Sequence, residues 1–523
     1  MKKKRFLGAF IALSVLFTAA LTGCSSSQEA KVANKETTST SPKEGGTLVI
    51  ARVNDANNLD PHFFSLLAAQ AVVHHKVYEG LVKLGENGDF EPMLATEWKQ
   101  LNDVTWEFKL REGVTFHDGT PFTAEAVQKT IARVLDKKIA SPRANLFAMI
   151  KEVKAVNDHQ VQFILHAPFA PLLSVLASGE GAILSPKAIE QYGLELSKHP
   201  TGTGPFTFQS WTPGQEIVLV KNDNYWADKP KIDKVVFKTV PEDATRIAMV
   251  ETGEAHVAEQ LPVTELERVQ ASSTMDLGRF EAFYVDFIGF NTKKKPFDDV
   301  RVRQAIAYAM DTESIIKGVY NNVGTTANST LGPKVFGYSP NVKGYQYDLN
   351  KAKKLLAEAG YPNGFKATIS TNDNKARINV AEVLQSQLKG IGIDLEVNVM
   401  EYGAYVDAAA KGETEMFILG WGNATGDADY NQYNLYHSSS AGAPGNYSFY
   451  NNPEVDKLID AGRKEQDPVK RKEYYEKAQE MEMRDAVLIP YRSAENIAAI
   501  SKNVKGVFIN PSGLIQFYNA SIQ

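Results

Sequence analysis

Gly46-Thr47-Leu48-Val49-Ile50-Ala51 is where ordered structure is expected to begin, and its reading sets the fold class. A short, uninterrupted aliphatic run of this kind fits a buried strand. Downstream the period changes. Thr105-Trp106-Glu107-Phe108-Lys109-Leu110 and Gln160-Val161-Gln162-Phe163-Ile164-Leu165 alternate strictly, as half-buried strands do. Ile217-Val218-Leu219-Val220 and Val235-Val236-Phe237 add two further strands. Helical patterns are interleaved with them. Val300 to Ala309 carries apolar residues at 302, 305, 306 and 309 behind Asp298-Asp299, a candidate cap. Asn350 to Ala359 stops at Gly360 with Pro362 beyond, and Asn379 to Leu388 closes at Gly390. Asp467-Pro468 opens a charged helix that runs to about Arg484. The expectation is a mixed α/β protein. No period of about 20–50 residues recurs, which argues against a solenoid or propeller.

The chain has 523 residues, 43% hydrophobic and 23% charged, so it is globular and long enough for two or three domains. Its formal charge is −5, and four of its cations (Lys2, Lys3, Lys4 and Arg5) stand together at the N-terminus, leaving a more acidic body. An acidic body argues against nucleic acid as a partner, since phosphate binding needs clustered Lys and Arg.

Those cations precede an apolar stretch from Phe6 to Leu21, followed by Leu21-Thr22-Gly23-Cys24. The layout is that of a secretory signal peptide, and the stretch is shorter than the ~20 residues that span a bilayer. It resembles the bacterial lipobox, which implies cleavage after residue 23 and acylation of Cys24; an ordinary signal with an incidental cysteine is the alternative. Cys24 is the only cysteine, so its acylation leaves no thiol for a disulfide. Residues 24–45 are rich in Ser, Thr, Lys and Glu and read as a tether that lifts the body off the membrane.

No hydrolase elbow, phosphate-cradling loop or dinucleotide fingerprint is present. His75 and Glu79 lie one helical turn apart beside His74, but two ligands do not make a zinc site, and a solvated helix face is the simpler reading. Phe116-His117-Asp118-Gly119 reads as a turn that satisfies its own histidine. Asp427 and Asp429 have the spacing of a glycosidase acid–base pair on one side of an extended segment. Nothing else suggests a sugar-cleft hydrolase. Neither a metal nor a cofactor is expected.

A set of short motifs in order carries more weight: Leu94-Ala95-Thr96-Glu97-Trp98, Trp106 to Arg111, Gly113 to Ala124, Gly202-Thr203-Gly204-Pro205-Phe206, and Asn222-Asp223-Asn224-Tyr225-Trp226. Gly289-Phe290-Asn291, Pro296 to Ala305, Ala359-Gly360-Tyr361-Pro362 and Gly420-Trp421 complete it. Together they resemble the extracytoplasmic solute-binding proteins, family 5, of peptide and nickel ABC importers, nearest the glutathione- and dipeptide-binding branch. The resemblance implies a two-lobed periplasmic-binding-protein fold. Lobe I would be 46–80, 203–287 and 492–523, with an inserted domain at 81–202, and the second lobe 288–491. It implies a non-enzymatic receptor, monomeric and anchored to the outer face of the bacterial cell membrane. Such a receptor would capture a short peptide or glutathione-like peptide and deliver it to permease subunits.

The dipeptide branch holds its ligand's ammonium and carboxylate with an aspartate and an arginine; those positions fall on Ala424 and Thr371. Asp427 or Asp429 is the expected substitute for the ammonium, unless both only shape a turn. Arg377 is the expected substitute for the carboxylate, unless it is solvated at a helix start. Tyr284, Tyr402, Trp421 and Tyr430 are candidate cleft aromatics that read equally well as core. Asn54, Asp55 and Asn291 complete the expected ligand-contacting set. In a nickel-chelate reading His62, His74 or His75 would face the cleft instead.

Overall fold

The computed structural model describes residues 45–85, 88–443 and 445–523. The expected signal segment 1–23, Cys24 and the 24–45 tether lie outside the described residues, apart from Gly45.

Two strands are much longer than the others, Met275–Phe290 and Leu488–Ser501, with 16 and 14 residues. They pair antiparallel from Met275 opposite Ser501 to Gly289 opposite Leu488. Their register breaks between Glu281 and Val285 and again between Asp286 and Phe287. On one flank, Val257–Glu259 meets the long pair at Ala498 to Ile500 alone and pairs on its other side with Ile50-Ala51. On the other, Met416–Gly422 meets the long pair at Tyr284 to Phe290 alone and pairs on its other side with Ile369-Ser370. Ten strands thus share one sheet whose two halves meet at the irregular middle of these two strands.

The half nearer the N-terminus continues through Thr47–Arg52, Lys234–Thr239, Glu216–Lys221 and Phe206–Thr212. The other half continues through Lys366–Asn372 and Asp394–Met400. Separate apolar cores back them. Leu48, Ile50, Val235, Phe237 and Phe517 lie in one, and Ile288, Ile306, Ile369, Leu384 and Ile418 in another. A third core, from Leu81 to Ile183, is built on a four-stranded antiparallel sheet that includes Thr105–Leu110 and Gln160–Leu165. Among the described residues no helix is long and apolar enough to cross a membrane.

Local signals account for most element ends. Asp299 caps helix Val300–Ala309 by accepting from the Arg301 N–H, and Asp467 caps Pro468–Asp485 in the same way. Gly360 follows helix Leu349–Glu358 with φ +90°, a conformation that favours glycine. The helix expected from Asn379 starts earlier, at Lys375, because Asn374 caps it through the Arg377 N–H. The left-handed turn after it falls on Gly392, not on Gly390.

The His74-His75-Glu79 expectation is overturned. Helix Leu67–Val73 ends before these residues, His75 sits at φ +57°, and no solvated helix face exists. His74 and Glu79 are buried, and Glu79 accepts hydrogen bonds from Thr203, Tyr225 and Trp226. Beside them lies Lys76, buried over the Phe517 ring, its Nζ without a hydrogen-bond partner. Burial drives its amine down to about 7; Glu259 opposes this and Arg52 adds to it. Between pH 7 and 10 the unfolded chain therefore holds a proton that the native state lacks, and this site's contribution to stability rises with pH. Lys76→Met should raise the melting temperature by about 2 °C at pH 6, with the gain shrinking by pH 9.5. Calorimetric melts across that range check it.

Candidate functional site

Arg377 lies in the first turn of helix Lys375–Lys389 and turns back over the strand before it. Its guanidinium donates to Asn372 Oδ1 and to the Tyr284 hydroxyl, both at 2.9 Å. Two of its five N–H groups are thereby fixed and the fork is aimed. A positive fork at a helix N-terminus suits a carboxylate. Tyr284 lies flat against Gly420: a Cβ at 420 would come within 2.2 Å of the phenol. Burial pushes that phenol up to about 12, so it stays neutral beside the cation.

Trp421 follows Gly420 on the same strand, and its ring is 6.0 Å from that of Tyr430. The indole Nε1 is buried without a hydrogen-bond partner, as is the Thr371 hydroxyl. Two clusters thus stand at the end of this strand: Arg377 with Tyr284 on one face, and Trp421 with Tyr430 on the other. Both clusters adjoin the pairing of Tyr284 to Phe290 with Met416–Gly422.

Opposite them stands the segment from Phe169 to Gly181. Ala170 N–H donates to the Arg463 carbonyl at 2.8 Å, and Ser174 donates to Asp427 at 3.1 Å. Glu180, in the turn Gly179–Gly181, is close enough for its charge to bear on the Tyr430 phenol. A two-sided site bounded by different cores is the arrangement that encloses a small solute.

The profile of bacterial extracellular solute-binding proteins, family 5 Middle, matches residues 89–443. The chain belongs to this family. It is 32% identical to the glutathione-binding protein GsiB of Escherichia coli K12, over 91% of this chain and 94% of that one. Among solved structures, DppA of Helicobacter pylori in complex with the peptide STSA superposes with a TM-score of 0.79 at 32% identity, covering 92% and 98% of the two chains. AppA of Bacillus subtilis, in complex with a nonapeptide, gives 0.78 at 27% identity, covering 92% and 100%. The two-lobed α/β fold of the periplasmic peptide-binding proteins is therefore this protein's fold, and its relatives are binders rather than enzymes.

Within this family 5 protein the other expected site residues have different work. Asp427 caps helix Ala428–Leu435, accepts from both terminal nitrogens of Arg471 at 2.6 and 2.7 Å, and is buried. Asp429 is paired with Arg463 at 2.9 Å, and burial pushes its carboxyl up to about 6. Each acid is closed off by its own arginine, so the pair is neither a glycosidase dyad nor a free ammonium partner. Asn291 is buried and spends its amide on the carbonyls of Gly412 and Thr414. Asp55 holds the Trp211 indole and the Gly214 N–H. Tyr402 stands 55% exposed at the start of helix Tyr402–Ala410. Asn54 lines a cavity of about 250 Å³ with Arg52, Glu259 and Asn496, away from Trp421.

His62 is buried against Arg133 and Asp60, and His74 stacks on His75. Among the described residues no three His, Cys, Asp or Glu side chains are grouped to hold a metal. Sequence reasoning missed Glu180 and the buried pair Asp286–Arg492, which bridges the two long strands at 2.7 Å. The register break beside Asp286 is invisible in composition. Asp427→Asn should cost about 3 kcal/mol, because it weakens the partner of a buried Arg471. Asp429→Asn should cost about 1 kcal/mol or less, since Arg463 is partly solvated. Urea denaturation of both variants measures the contrast.

Proposed function

We propose that this protein captures short peptides or glutathione-like peptides between its lobes and hands them unchanged to the permease subunits of an ABC importer. The observation that carries this reading is the Arg377 fork aimed by Asn372 and Tyr284, with the Trp421–Tyr430 pair at the end of the same strand. It offers a carboxylate a bidentate partner and a peptide backbone two aromatic faces. The relatives point the same way: the E. coli protein is named for glutathione, and the H. pylori and B. subtilis structures hold peptides. Residues 288–491 would form one moving body, and 46–80, 203–287 and 492–523 with the 81–202 insertion the other. The crossing strands would act as hinge. The receptor would work as a monomer, held to the outer face of the membrane by acyl chains on Cys24.

Titration calorimetry with glutathione, dialanine, trialanine and nickel–histidine tests the ligand class. Heat is expected from peptides, which should be recovered intact after long incubation; heat from nickel–histidine alone would overturn the reading. Arg377→Met should weaken peptide acids about thirtyfold and leave their C-terminal amides unchanged. Cys24→Ser should shift the exported protein from the membrane to the soluble fraction on cell fractionation, because the acyl chains supply the apolar burial that anchors it.

A further inference from the structure

The insertion at 81–202 touches the 288–491 body through groups that meet without a ligand between them. Ser174, in helix Leu172–Ala177, donates its hydroxyl to Asp427 Oδ2 at 3.1 Å, and both residues are buried. Just before that helix the Ala170 N–H donates to the Arg463 carbonyl at 2.8 Å, and the Arg463 guanidinium stands 5.4 Å from the Phe169 ring. Leu84 packs on the apolar cluster that holds Leu331, Val335, Ala428 and Tyr475. Gly426 makes room for it: a Cβ there would come within 2.8 Å of Leu84 Cδ2. None of these contacts uses Arg377, Tyr284, Trp421 or Tyr430. On the 288–491 side each charged group also keeps a partner of its own. Asp427 accepts from Arg471 at 2.6 and 2.7 Å, while Arg463 is held by Asp429 at 2.9 Å and lies 3.8 Å over the Tyr433 ring. Parting the two bodies would therefore strand no charge. It exchanges one hydroxyl, one backbone N–H and one leucine for water, a change small enough to be reversible.

We infer that the Ser174–Asp427, Ala170–Arg463 and Leu84–Gly426 contacts form a latch that lets the receptor close on itself without a solute and sets how tightly any solute is held. This inference rests on the reading in which the lobes move. A ligand then adds to an equilibrium that the protein already biases, and its apparent affinity scales with the fraction closed. Loss of a latch contact lowers that fraction for every ligand alike, whatever the charges at its ends. Removal of Arg377, by contrast, acts on one end of the ligand. Asp427 thus serves binding through Ser174 rather than through the solute itself.

The experiment uses the full chain with Cys24→Ser, so that spin labels go only to cysteines placed at exposed Lys137 and Glu473, one on each body. Without ligand this protein should show two label–label distances, one of them the distance found with saturating trialanine. Ser174→Ala should deplete that closed distance. In calorimetry it should weaken trialanine and trialanine amide by the same factor, about tenfold, the scale of one hydrogen bond to a charged group. Leu84→Ala should act in the same direction on both readouts. A ligand-free protein found only at the open distance overturns the latch and leaves peptide capture intact, as does a Ser174→Ala variant that matches its parent in both readouts. If neither trialanine nor glutathione binds or moves the labels, capture itself fails. Should Leu84→Ala fail to fold, Ser174→Ala, which removes a single oxygen from a helix, decides alone.

Discussion

Two antiparallel strands that belong to both halves of the sheet are the constraint on which this molecule is organised. Met275–Phe290 and Leu488–Ser501 give the two halves a shared backbone, so neither can drift away. The ladder is interrupted at Glu281–Val285 and beside Asp286, where a bulge-like irregularity lets a strand bend. Covalent continuity with a local weakness in pairing is what a hinge requires. The Asp286–Arg492 pair, with Arg492 stacked 3.7 Å from the Tyr320 ring, keeps the weakened stretch from unpairing.

The position of the site follows from this arrangement. Tyr284 lies at the break in the register, and Trp421 is on the strand that meets the long pair along 284–290. The Arg377–Tyr284 pair therefore sits where the two halves of the sheet part. Facing residues come from a separately cored insertion, which approaches through Ala170, Ser174 and Glu180. Contacts made there by backbone and hydroxyl groups are individually modest, about 1 kcal/mol each. A charged solute that bonds to both sides contributes on the same scale or more, which makes it able to bias the separation of the lobes.

Much of this could be read from residue order, and the exceptions have a common cause. Strands such as Thr105–Leu110 and caps such as Asp299 and Asp467 depend on neighbours within a few positions, and local pattern is enough to recover them. Arg377 was legible as a charge near the right strand. Its aim, through Asn372 and Tyr284, depends on a contact 93 positions away. Asp427 looked available because Arg471 is 44 residues downstream, and Asn291 because its carbonyl partners are more than 120 residues off. Glu180, within Ser178-Gly179-Glu180-Gly181, has the composition of a solvent loop; only the packing of the chain around it removes the water.

Gly420 shows how a residue with no side chain shapes recognition. Its bare Cα lets the Tyr284 ring settle onto the strand, and that ring in turn steadies the guanidinium across from it. Even one added methyl would unseat the phenol and so loosen the arginine without touching the guanidinium itself. Substitution is therefore channelled into the side chains around this glycine, while position 420 itself is closed to change.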